Sequence, residues 1–167
     1  MTTGCTCTVP SSISSSTTRF PYTADLGAEA APENALPRFV SVLDGDTIEV
    51  LHNRRAERIR LSGIDCPEKG QAYGKKAKQA ASEFVFGKDV MLQTHGKDKY
   101  GRTLADVLLP DGTNVNHRLV KDGWCWWYRK YAPGDMMLEE LGTRARASGI
   151  GLWADPALIP PWEWRKR

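Results

Sequence analysis

Arg58-Ile-Arg-Leu-Ser-Gly-Ile-Asp-Cys-Pro-Glu68 is the stretch from which the rest of the 167-residue sequence can be ordered. It begins as a strand: Ile59 and Leu61 alternate with Arg58 and Arg60, so two apolar chains face a core and two guanidinium groups face outward. The alternation breaks at Ser62-Gly63. Pro67 cannot donate to a ladder and holds Cys66 extended, so Asp65 and Glu68 are displayed where the strand stops. Guanidinium groups beside carboxylates can hold a phosphodiester against a divalent cation, as metal-assisted hydrolysis requires. The plain alternative is a strand that leaves through a proline turn with its charges in water.

Toward the N-terminus, Phe39-Val-Ser-Val-Leu43 and Thr47-Ile-Glu-Val-Leu51 are β-rich runs joined through Asp44-Gly45-Asp46. An Asp-Gly pair between such runs predicts a hairpin, in which both aspartates can be simple turn residues. His52 to Glu57 turns into the Arg58 strand and completes a three-stranded meander. Toward the C-terminus, Tyr73 to Phe86 has a helical period, with Ala77, Ala80, Ala81, Phe84 and Val85 on one face and Lys75, Lys76, Lys78 and Glu83 on the other. These lysines read as a solvated face. Val90 to Thr94 and Thr103 to Leu109 are two more strands, around a polar loop from His95 to Arg102 in which a glycine lets the guanidinium be aimed. Thr113 is placed to cap a helix ending near Lys121, and Gly134 to Ser148 is a last helix with Met137, Leu138, Leu141 and Ala145 on its apolar side. The resulting class is α+β, mainly β: a five-stranded OB-fold barrel with about three helices, an architecture that commonly binds oligonucleotides.

Residues 1–37, rich in Ser, Thr, Ala and Pro, read as a disordered leader without the basic start and apolar core of a signal peptide. Residues 38–154 form the domain, and residues 155–167 a Pro/Trp-rich tail laid across its surface. The net charge of +3 is uneven. The leader holds one basic residue and three acids, leaving 22 basic against 17 acidic residues from Arg38 onward, a net of +5 that suits a polyanionic partner. No apolar run is long enough to span a bilayer, and no dimer seam is evident, which points to a monomer away from membranes. Cys5, Cys7, Cys66 and Cys125 show no disulfide framework and no zinc spacing, and His52, His95 and His117 read as surface histidines. The aromatic run from Trp124 to Tyr131 mixes rings with Arg129 and Lys130. Most of its rings are expected in the core, although such a mixture can also stack bases.

Asp44-Gly-Asp-Thr47, Arg60-Leu-Ser-Gly-Ile-Asp-Cys-Pro-Glu68 and Asp98-Lys-Tyr-Gly-Arg102, in that order, resemble the staphylococcal nuclease family over roughly Phe39 to Trp153. The resemblance implies a Ca²⁺-dependent nuclease that cuts DNA and RNA, single-stranded or locally open, with little sequence preference and leaves 3′-phosphate ends. It implies that Asp46, Asp65 and the backbone carbonyl of Cys66 bind Ca²⁺, with Asp44 close by. Hard oxygen donors suit that ion. Where Cys66 stands the family usually has threonine, but a carbonyl ligand does not depend on the side chain. The same resemblance gives Arg60 and Arg102 to the scissile phosphate and Glu68 to the attacking water. Lys99 and Tyr100 would meet a terminal phosphate and Tyr131 the nucleotide, while Trp126 to Lys130 departs from the family pattern. Many members are secreted.

Two other classes compete with catalysis. One is a barrel that binds single-stranded nucleic acid without cutting it; the other is a protein-interaction barrel whose basic excess is incidental. The first predicts binding without cleavage whether or not metal is present, and the second predicts no salt-dependent affinity for DNA.

Overall fold

The computed structural model describes residues 38–52 and 54–167. The expected disordered leader and the Cys5/Cys7 pair lie outside them. Strands β1 (Arg38–Asp44), β2 (Thr47–His52) and β3 (Arg55–Leu61) form the antiparallel meander read from the Asp-Gly turn. After the two-residue strand β4 (Ile64–Asp65) comes α1 (Gly74–Val85), then β5 (Met91–Lys97) and β6 (Thr103–Leu108). Next come α2 (Val115–Lys121), β7 (Trp126–Trp127), α3 (Met136–Ala147), a 3₁₀ turn at Gly151–Ala154 and a short α4 (Pro161–Trp164). The main sheet has the order β1-β2-β3-β6-β5, with β3 and β6 parallel; β4 and β7 pair separately. This is the mainly β, five-stranded OB-type architecture expected, with helices packed on it.

Side-chain alternation fixes the register. Ile59 and Leu61 are buried while Arg58 is exposed, and along β6 Thr103, Ala105 and Val107 turn inward between less buried neighbours. Ile48, Val50, Ile59, Leu61, Val107 and Leu119 are almost wholly excluded from water, and each such side chain contributes about 1.5–3 kcal/mol. Helix α1 closes the core with Ala77, Ala80, Ala81 and Val85, with Phe84 packed half-buried beside them and its lysines in solvent. Small alanines let the helix sit close. Gly45 marks a close approach of the β1–β2 turn to the helix, since a Cβ there would lie 2.8 Å from Cβ of Cys66 and 3.0 Å from Cβ of Ala77.

Several local expectations are corrected. Strand β5 runs on to Lys97, into the stretch read as loop, because a register break between Thr94 and Lys97 accommodates Gly96 at φ 106° and lets pairing resume. Asn114, not Thr113, caps α2: its side chain accepts from the His117 N–H at 3.1 Å, while the Thr113 carbonyl accepts from Leu109 and closes the preceding turn. On α3 the buried stripe is Leu138 and Ala145, with Leu141 half-buried; Met137 is 51% exposed. Asp135 caps α3 through the Leu138 N–H at 3.0 Å, which leaves Met137 in the exposed first turn. Among the described residues no helix is long and apolar enough to cross a membrane.

Candidate active site

The ends of β1, β3 and β4 meet around one guanidinium. Asp46 closes the β1–β2 turn, and its main-chain carbonyl accepts from Leu61 N–H at 2.9 Å, which brings the turn against the end of β3. Its carboxylate accepts from Thr47 Oγ1 at 3.1 Å and from the Cys66 N–H at 2.8 Å. Arg60, last but one in β3, donates Nη1 to Asp46 Oδ2 at 2.5 Å and Nη2 to Asp65 Oδ1 at 2.9 Å. One arginine thus bridges two aspartates that are 19 positions apart in sequence. The Asp65 side chain is fully buried, and burial raises its carboxyl above the usual aspartate value despite the opposing pull of Arg165 and Arg60. Asp44 is raised as well, first by burial and then by the negative charges of Asp46 and Glu68, which places all three carboxylates in one field.

The segment from Ser62 to Glu68 is pinned from several sides. Buried Asn116 on α2 donates to the Ser62 carbonyl at 3.0 Å and accepts from the Val107 N–H at 3.2 Å. Strand β4 pairs with β7 at Ile64↔Trp127 and Asp65↔Trp126. The next step of that ladder is covalent: Cys66 and Cys125 form a disulfide. The sequence shows no legible disulfide framework, and the fold supplies this pair. Spacing gave no sign of it, because two isolated cysteines become neighbours only when a two-residue strand near residue 65 meets another near residue 126. Glu68 is set by Gln71, whose Oε1 accepts from the Glu68 N–H at 3.2 Å and whose own N–H donates to the Glu68 carbonyl at 2.8 Å.

A further cation, unforeseen in the sequence, completes the cluster. Arg165, after α4, donates Nη2 to Asp65 Oδ2 and Nη1 to Glu68 Oε1, both at 2.6 Å, and Nη1 to Asp65 Oδ1 at 3.2 Å. Its hydrogen bonds to Asp65 raise its pKa above the ordinary arginine value. The Pro/Trp-rich composition of the tail points to a strap across the surface and does not single out one of its three terminal cations.

Asp46, Asp65, Asp44, Arg60 and Glu68 therefore share one locus. Arg102 makes its contacts in the β5–β6 loop: Nε and Nη2 donate to Asp98 Oδ2 at 2.7 and 2.6 Å, and its guanidinium lies 5.4 Å from the Tyr100 ring centre. Burial alone would raise the Asp98 carboxyl, but hydrogen bonds from Arg102 and Tyr100 hold it below the usual range. Lys99 lies over the same ring at 4.9 Å, and its ammonium is raised above the ordinary lysine value first by Tyr100 and to a smaller degree by Tyr131. Of the rings from Trp124 to Tyr131, expected mostly in the core, Trp126 alone is buried; Trp124, Trp127 and Tyr128 are half-buried and Tyr131 is exposed. A cleft of about 570 Å³ against β5, lined by His52, Glu57 and Met91, holds none of the carboxylates of this cluster.

The donor set fits a hard divalent cation. Asp46 and Asp65 offer carboxylate oxygens that already serve as a seat for positive charge, with guanidinium groups as the stand-ins. Among the described residues no three His, Cys, Asp or Glu side chains form a ready-made cage, so such an ion would complete its shell with backbone oxygen and water.

Residues 58–155 match the family model described as staphylococcal nuclease homologue. The chain is 47% identical over 130 residues to an uncharacterized endonuclease of Escherichia coli O157:H7, covering 78% of this chain and 84% of that protein. It is 43% identical over 136 residues to a micrococcal nuclease of Shigella flexneri (76% and 78% covered). A staphylococcal-like nuclease of Arabidopsis thaliana is 38% identical over 109 residues, 65% of this chain and 33% of that one.

Proposed function

Because the chain belongs to the staphylococcal nuclease family, whose reaction is hydrolysis of nucleic acid, we propose that it is a Ca²⁺-dependent phosphodiesterase. It cuts DNA and RNA with little sequence preference and leaves 3′-phosphate ends. The observation that carries this reading is the Arg60 bridge between Asp46 and Asp65 with Glu68 in the same charge cluster. In this reading Asp46, Asp65 and the Cys66 carbonyl hold Ca²⁺, and Asp44 adds negative charge beside them. When bound, the ion neutralises charge on the phosphate and lowers the pKa of its water.

The chain's own groups do the rest. Attack on a phosphodiester places negative charge on the equatorial oxygens; Arg60 and Arg102 donate hydrogen bonds to them from fixed positions. Arg60 is preorganised by two carboxylates and Arg102 by Asp98 and Tyr100. Glu68, on a main chain held by Gln71, orients the attacking water and takes its proton. Lys99, Tyr100 and Tyr131 bind the flanking nucleotide. Such contacts reach phosphate and ring face, which carry little sequence information.

The test is cleavage of denatured DNA and of RNA with Ca²⁺ and then with chelator, followed by end-group analysis. Cleavage that requires Ca²⁺, yields 3′-phosphate ends and is lost in Asp46→Asn is expected. Salt-sensitive binding with no cleavage under either condition overturns the reading in favour of a non-catalytic single-strand binder.

A further inference from the structure

The C-terminal segment is docked so that it delivers one cation to the carboxylates. Buried Gln71, which also positions Glu68, donates its side-chain amide to the Ile159 carbonyl. Pro161 is buried, and the Trp162 ring stacks on Tyr128 at 5.0 Å with an interplanar angle of 2°. Of the three cations that follow, Lys166 pairs with Glu163 at 2.9 Å and Arg167 lies over Trp164, so only Arg165 turns to Asp65 and Glu68.

We propose that Arg165 is a built-in competitor of the divalent cation, seated on the same Asp65 oxygens and withdrawn when the cation binds. This rests on the nuclease reading above. Both Asp65 oxygens are taken by Arg165, one of them shared with Arg60. A calcium ion needs a carboxylate oxygen at about 2.3–2.6 Å, the approach that Arg165 fills. The two arginines differ in freedom: the Arg60 side chain is 13% exposed and locked between two aspartates, whereas that of Arg165 is 42% exposed and hangs from the end of a four-residue helix. Arg165 can rotate into water while Trp162 stays stacked. A cleft of about 490 Å³ beside it, lined by Trp127, Lys130, Trp162 and Lys166, gives the released side chain room. In the absence of cation the latch satisfies a buried carboxylate and ties up Glu68, and it lowers the apparent affinity for the ion.

The experiment is calorimetric titration of the full chain with Ca²⁺, comparing wild type, Arg165→Gln and Lys166→Gln, together with the arginine side-chain N–H resonances of wild type. Lys166→Gln makes the same change of charge one residue away without touching Asp65. Arg165→Gln should bind Ca²⁺ on the order of tenfold more tightly, the effect of removing a charge-assisted competitor, and Lys166→Gln about as wild type. The Arg165 resonance, assigned by its loss in Arg165→Gln, should move over the Ca²⁺ range in which heat is released. Equal affinities for wild type and Arg165→Gln, equal gains in both variants, or an unmoved resonance each overturn the latch. If wild type still binds Ca²⁺ and cuts DNA in those cases, only the latch falls. If wild type neither binds Ca²⁺ nor cuts, the nuclease reading falls and the latch with it.

Discussion

Cys66 stands across from Cys125 one step beyond the Asp65↔Trp126 pair, so the disulfide extends the short β4–β7 ladder at the residue whose N–H holds Asp46. A covalent tie therefore sits inside the cluster of carboxylates. It closes a loop of 59 residues, for which the chain-entropy estimate is about 4 kcal/mol. Cys125→Ser should lower the free energy of unfolding by that order in denaturant titrations, and reductant should destabilise wild type but not the variant. Equal stability with and without reductant would show that the bond contributes nothing.

Arg60 is the charge that keeps Asp46 and Asp65 compatible. Removing it leaves Asp46 without its guanidinium while Asp65 keeps Arg165, and breaking a buried pair in this way costs about 3–5 kcal/mol. Arg60→Met should therefore be strongly destabilised without metal and should recover part of that loss in Ca²⁺, because the two carboxylates then neutralise against the ion. Its turnover should fall on the order of 10³-fold, as for transition-state arginines elsewhere. Thermal unfolding with and without Ca²⁺, alongside initial rates, checks both parts; a variant as stable as wild type in chelator contradicts the first.

The architecture and most of this cluster were legible because they rest on local signals. Asp44-Gly45-Asp46 announces its hairpin, the alternation from Arg58 to Leu61 sets which groups face the core, and alanines at helical spacing mark the buried side of α1. What escaped needs tertiary pairing. Strands β4 and β7 are two residues each, too short for any periodicity, and the disulfide depends on them. Asn116 is an ordinary helix residue until α2 lies against Ser62 and Val107. Arg165 becomes part of the site once Gln71 holds the Ile159 carbonyl and Trp162 stacks on Tyr128.

Asp98 and Asp65 should titrate on opposite sides of the ordinary aspartate value, about 3.9. Asp98 is depressed in the fold, so its contribution to stability is present above the ordinary value and lost as pH falls through its lower folded value. Asp65 is raised by burial, so its ionised form weighs against the fold at neutral pH, and acidification through the raised value relieves that cost. Carboxyl resonances followed against pH would show this, with Ca²⁺ drawing the Asp65 titration downward. Asp98→Asn should lose about tenfold in turnover by freeing Arg102, and Arg102→Ala on the order of 10³-fold or more. A near-normal rate in Arg102→Ala removes that arginine from the mechanism.

Gly74 starts α1 directly against the loop that carries Glu68. A Cβ at Gly74 would lie 2.0 Å from the Glu68 carbonyl oxygen and 2.8 Å from its carbon, both backbone atoms that can give way only by moving the loop. Gly74→Ala should therefore displace Glu68 while leaving Asp46, Asp65 and Arg60 in place. Overpacking of this kind costs about 1–3 kcal/mol of stability. A shift near 1 Å in a positioned catalytic group costs about 10²-fold in rate. Turnover should fall by that order, with Ca²⁺ affinity changed little, and Glu68→Gln combined with Gly74→Ala should be no slower than Glu68→Gln alone. If the two losses multiply instead, Gly74 acts through something other than the placement of Glu68.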